Sequence, residues 1–295
     1  MAKRVPQHLL KGRRKKLQRP PVWLHPRFLE RRYAEFLKSQ VVDKLTAMVN
    51  SDVIPRLKNM AFTAKQFRPD SATARLDDLA EEVEQMAESM RIGFDKEPAI
   101  EKARVRDIGR EVSNANRQQW TKIMRATIGV DIFQAEPYLS TQLSLFVSEN
   151  TRLISKMKAE SVSDIQGIVE RGLQQGLRVE AIEQQIREKT KATENKARLI
   201  ARDQISKANA QLTQVRQEDL GVSKYIWRIS KDERVRPSHR AMAGKTCRWD
   251  DPTVYSDDGG KTWKKRSSIG GVEKHPGIDY QCRCTAEPVL DDLIE

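Results

Sequence analysis

Leu220-Gly221-Val222-Ser223-Lys224-Tyr225-Ile226-Trp227-Arg228-Ile229 is the stretch at which this chain changes character. Upstream of Gly221 the apolar residues recur with a helical period. From Val222 to Ile229 they alternate, with Tyr225 and Trp227 on one face, as in a half-buried strand. A long helical part therefore hands over to a smaller mixed part at residue 221.

Working upstream, a helix from about Glu194 to Glu218 packs through Ala197, Ile200, Ile205, Ala208, Leu212 and Val215, and Gly221 stops it. Two shorter helices are expected before it. Ser163-x-x-Gln166 reads as a capping box opening a helix through Ile165, Ile168, Val169 and Leu173, with Gly176 as its left-handed end. The next runs through Val179, Ile182 and Ile186. Earlier apolar stripes follow Leu76, Leu79, Val83, Met86 and Met90, then Val105, Ile108, Val112 and Ala115, then Leu139, Leu143, Phe146, Asn150, Leu153 and Met157. Stripes of this kind are packing seams rather than cofactor boxes. Phe28 to about Val49 also reads as helix. Trp23 and Phe28, on either side of Pro26, read as an anchor onto a partner or, the preferred reading, onto the chain's own helical body.

Working downstream, Asp257-Asp258-Gly259-Gly260 between Val254-Tyr255 and Thr262-Trp263 reads as a hairpin, and Gln281 to Pro288 as a closing strand. The predicted fold is mainly α: an extended helical N-terminal stem carrying a small α+β C-terminal domain. The expected segments are 1–27 as a basic arm, 28–160 as stem, 161–221 as helical connector and 222–295 as the α+β domain.

The chemistry-bearing residues gather in that last segment. All three cysteines lie there, with two of the four histidines. Cys282 and Cys284, two apart, would share one face of a strand. With Cys247 and one of His239 or His275 they would supply four of five candidate ligands, enough for a tetrahedral structural zinc. The alternative is that the cysteines are small, buried, reduced core residues. Asp232, Arg234 and His239 suggest a charge-assisted network near a helix opened by Pro237. As chemistry, a His–Asp pair can act as general base. No nucleophile in a recognisable setting accompanies it, so the structural network is the better reading and no catalytic residue is expected.

Asp232-x-Arg234, His239, Gly244-Lys245, His275-Pro276 and Cys282-Arg283-Cys284, in this order, resemble the Mu F-like minor head proteins of bacteriophages. Leu199-Ile200-Ala201-Arg202-Asp203-Gln204 and Gly221-Val222-x-Lys224-Tyr225-x-Trp227 extend the resemblance. It covers the C-terminal third well and the rest loosely. It implies a non-enzymatic head morphogenesis protein acting at the portal vertex, with roles in capsid assembly and in DNA packaging or delivery. It further implies the portal protein and other capsid proteins as partners, and location in the virion after assembly in the host cytoplasm. Other classes left open are a DNA-binding protein and a metal-dependent nuclease built from His239, His275 and the cysteines.

The charge is unevenly placed. Of the net +13, residues 1–40 contribute ten, with twelve Lys or Arg against two Glu. Lys3, Arg4, Lys11, Arg13, Arg14, Lys15, Lys16 and Arg19 form an arm suited to double-stranded DNA through counterion release, without sequence readout. The bland reading is a solubilising tail or an arm docked on an acidic protein face. A clear apolar face is missing from the arm, which argues against a membrane surface. No apolar run approaches the ~20 residues a membrane span needs, and the basic start does not read as a secretory signal. Three cysteines, an odd count, suit a reducing compartment.

Overall fold

The computed structural model describes residues 21–66, 72–129, 136–230 and 234–290, with the backbone alone at 61–66, 72–78 and 128. The basic arm Lys3–Arg19 and Asp232 lie outside the described residues. The protein is mainly α with small antiparallel sheets toward the C-terminus.

The first helical run comprises α1 (Arg27–Leu37), α2 (Lys44–Met48) and α3 (Ile54–Gln66), joined by π-helical stretches at Lys38–Asp43 and Val49–Val53. Pro55 lacks the N–H that would return to the carbonyl four residues back, and the helix widens directly before it. Next come α4 (Ala72–Phe94), α5 (Pro98–Ile128), α6 (Leu139–Gln174) and α7 (Val179–Asp219).

Two expected helix starts are absent. Helix α6 runs straight through Ser163, so no capping box opens there, and the two helices expected after Gly176 are one, α7. The physical reason is the lack of a breaker: no proline falls within α6, and neither proline nor glycine within α7. The apolar stripe also continues without a phase break, from Ile154 and Met157 through Val162, Ile165 and Val169, all buried.

Two compact units are interleaved along the chain rather than following one another. One comprises 31–106 and 147–201, the other 1–30, 107–146 and 202–295. The first is built on buried Leu37, Val41, Leu45, Val53 and Leu57 of the first helical run and on Val83, Met86 and Met90 of α4. Two buried polar pairs bridge distant segments of this unit. The Tyr33 hydroxyl donates to Asn150 Oδ1 at 2.6 Å, and Lys158 meets Glu101 at 2.5 Å.

The second unit has two cores. Trp23, buried against Trp120 with ring centroids 6.1 Å apart, joins Ile123, Met124, Leu220, Val222 and Leu290. Trp23 thus anchors on its own unit, whereas Phe28 is exposed. The other core lies under a three-stranded antiparallel sheet of order β2-β1-β5, with β1 at Lys224–Arg228, β2 at Thr246–Arg248 and β5 at Thr285–Pro288. Strand β1 begins where α7 ends at a left-handed Gly221 (φ 82°), whose neighbour Val222 donates back to the Gln217 carbonyl at 2.9 Å. Tyr225 and Trp227 point inward, onto Met242, Trp249, Tyr255 and Ala286.

The expected hairpin is present but shifted. β3 (Val254–Tyr255) pairs with β4 (Lys264–Lys265), not with Thr262-Trp263. Asp258 is the reason: its carboxylate accepts the backbone N–H groups of Lys261 and Thr262 and the Thr262 hydroxyl, which holds Thr262 in the turn. The closing strand starts at Thr285, so Cys282 and Cys284 sit in the loop before it.

Candidate metal centre

His239 is carried by α8 (Pro237–Ala241), a one-turn helix with proline at its first position, as the sequence predicts. The ring is buried, edge-on to Trp227 at 5.9 Å. Its Nδ1 faces two sulfurs, Cys282 Sγ at 3.3 Å and Cys284 Sγ at 3.5 Å. The three ligand atoms lie within 4.8 Å of one another, and all three residues are buried.

A loop rather than a strand brings the sulfurs together. Gly277 adopts φ 85° and Gln281 φ 53°, and these left-handed residues fold 275–284 back on itself. The site depends on this turn. The N–H groups of Gly277 and Cys284 donate to Cys282 Sγ at 3.3 and 3.4 Å. The loop is held against α7, where Asp203 accepts the Gln281 N–H at 2.9 Å and the Ser206 hydroxyl donates to the Cys282 carbonyl. A Cβ at Gly277 would stand 2.7 Å from that of Ala210, so α7 and the loop approach too closely there for any side chain.

On its far side the His239 ring meets a carboxylate. Nε2 lies 3.1 Å from Asp279 Oδ2, and Asp279 also binds Arg236 and, at 2.8 Å, Lys274. Burial would raise the Asp279 carboxyl, but Lys274, then His239 and the Tyr280 backbone N–H, bring it down to about 2. An ionised Asp279 accepts a hydrogen bond from Nε2–H and leaves Nδ1 as the lone-pair side facing the sulfurs. The Cys282 thiol is lowered, first by the hydrogen bond from Cys284 and further by His239; Cys284 is raised, since a second thiolate would stand beside the first. His239 is raised by its bond to Cys282.

The five sequence-nominated ligands therefore separate. His239, Cys282 and Cys284 converge; Cys247 and His275 belong to a neighbouring aromatic cluster. The Tyr225 hydroxyl lies 2.9 Å from His275 Nδ1 and accepts from the buried Arg266 guanidinium at 3.2 Å. His275 packs on Trp249 at 5.0 Å, and burial, with Arg266 adding to it, brings the ring down to about 4. Cys247 lies on β2 opposite Tyr225, and burial pushes its thiol up to about 11. Of the expected Asp232–Arg234–His239 network, Asp232 is not described. The guanidinium and carboxylate flanking His239 are those of Arg236 and Asp279.

Sequence reasoning missed Asp279, Arg236 and Glu30. The first two were within reach: Arg236 lies three residues before His239, and Asp279 midway between His275 and Cys282. Glu30 had no local signal. Its carboxylate gathers Arg283, between the two cysteines, with Arg202 of α7 and His25. Burial would raise Glu30, but these three partners bring it down to about 2.

Residues 163–287 match the family model described as Phage Mu protein F like protein. All the residues that build the cluster fall inside that range. An uncharacterized protein of Haemophilus influenzae is 31% identical over 187 residues, which take in 61% of this chain and 38% of that protein. The chain thus spans well under half the length of that relative. No solved structure matches.

Proposed function

With residues 163–287 forming a Phage Mu F-like region, we propose that this protein is a minor head protein of a tailed bacteriophage. It acts at the portal vertex during head assembly and contributes to DNA packaging or delivery. The match to the Mu F-like family carries the reading. It supports capsid components as partners and the virion as location. No described helix is long and apolar enough to cross a membrane.

The burial of His239, Cys282 and Cys284 supports an architectural role over a catalytic one. Their exposures are 3%, 5% and 6%, which leaves no open face for a substrate. The basic arm supports a contact with packaged DNA, because its charge is unscreened by acids over its first twenty residues.

Co-purification with the portal protein encoded in the same genome, in high salt and with nuclease, tests the proposal. Retention of the chain on the portal is the expected result. If the chain instead leaves the portal and follows nucleic acid once salt is lowered and nuclease omitted, it is a DNA-binding protein and the head-assembly reading fails.

A further inference from the structure

We infer that His239 Nδ1, Cys282 Sγ and Cys284 Sγ bind one zinc ion. The inference is independent of the head-protein reading and rests on geometry. A tetrahedral ion at ordinary Zn–S and Zn–N lengths sets its sulfur and nitrogen ligands about 3.5 Å apart and its two sulfurs about 3.8 Å apart. The two S···N separations are 3.3 and 3.5 Å, and all three donor atoms fall within 4.8 Å. One imidazole nitrogen and two soft sulfurs select zinc over magnesium or calcium, which take oxygen.

The surroundings match what a metal site needs beyond its ligands. Asp279 bonds the ring nitrogen remote from the sulfurs, which fixes the tautomer that presents Nδ1 as a donor. Two backbone N–H groups point at Cys282 Sγ and compensate the charge of a bound thiolate. The indole N–H of Trp227, whose ring lies edge-on to His239, is directed at the Cys284 sulfur and favours its thiolate, the form a metal binds. The rival arrangement, a Cys–His nucleophile, needs an accessible sulfur. Here both sulfurs are buried and share a single imidazole nitrogen.

The ion would tie α8 to the loop before β5. Metal analysis of the full chain, purified reduced and without chelator, should give close to one zinc per chain. Cobalt(II) in its place should show the charge-transfer and d–d bands of a tetrahedral site with two thiolates. Asp279→Asn, which touches no metal, should weaken zinc binding about tenfold and shift the cobalt bands. Cys282→Ser and Cys284→Ser should each lose the ion, while Cys247→Ser keeps it. Titration of native thiols provides a readout that does not depend on variants folding: Cys282 and Cys284 should react only after chelation. Zinc below about a tenth of an equivalent, with no cobalt bands and the same thiol reactivity with and without chelator, would overturn the site. Loss of zinc from a natively folded Cys247→Ser would overturn the ligand set.

Discussion

Replacing Glu136 by glutamine should cost the second unit about 3 kcal/mol, toward the low end of what breaking a buried ion pair removes. Arg216 of α7 has a side chain only 1% exposed, and each of its five N–H groups is spoken for. Nε and Nη2 reach the two Glu136 oxygens at 2.6 and 3.0 Å; the remaining donors go to the Ser113 carbonyl and hydroxyl and to Asn116 Oδ1. Glu136→Gln keeps shape but removes the counter-charge and turns an amide N–H toward a guanidinium. The low end applies because Glu136 is itself 13% exposed, so water reaches part of the defect. All five tryptophans, at 23, 120, 227, 249 and 263, belong to this unit, so tryptophan fluorescence during urea unfolding reads it alone. The double variant Glu136→Gln, Arg216→Met should recover about 2 kcal/mol of the summed single losses, because it leaves no orphaned charge. A Glu136→Gln loss below about 1 kcal/mol at unchanged m value, or additivity within about 0.5 kcal/mol, would refute a desolvated ion pair.

His275 gives a pH prediction. Its folded value of about 4 lies below the ordinary value, so the neutral ring stabilises the fold fully above about pH 6.5. That contribution is lost as pH falls through 4, about 1–2 kcal/mol after discounting for partial exposure. His275→Phe should flatten the urea midpoint across this window, and an unchanged slope there would count against the burial argument. Gly277→Ala should destabilise the unit by about 2–3 kcal/mol, from a left-handed backbone plus the clash with Ala210. Gly270→Ala, at φ 62° with open space around its Cβ, should cost only about 1 kcal/mol, and equal losses would show that the close approach to α7 contributes nothing.

The switch from helical to alternating pattern at Gly221 was legible because both signals are local: a C-terminal glycine, then Tyr225 and Trp227 two apart. The helix boundaries at 163 and between 186 and 194 were not. A serine with a glutamine three residues on has the capping pattern whether or not the chain enters as helix. Only the absence of an upstream breaker tells the cases apart. At the cluster, residue types identified the neighbourhood but not its membership. Cys247 and His275 carry the same chemistry as Cys282 and His239, but strand pairing sets Cys247 opposite Tyr225, and His275 joins that cluster through Tyr225 and Trp249, neither of which spacing encodes. Likewise, Cys282 and Cys284 converge because Gln281 turns left-handed, not because a pleated strand aligns them. The charge pairs were least legible. Glu30 with Arg283, or Glu136 with Arg216, join residues 253 and 80 positions apart, far beyond any local rule.

The clasp of Glu30 on Arg283, with the Thr285 hydroxyl bonded to the Trp23 carbonyl 262 positions away, bears on the order of events during synthesis. A ribosome emits residues 31–201 before any strand of the sheet exists, so the first unit has every segment it needs while the second waits. Trp23 and its neighbours must stay unsatisfied until the last strand arrives. Such long-range closure makes the second unit the slow step of maturation. A nascent chain stalled short of residue 285 should expose an apolar surface for chaperones to hold.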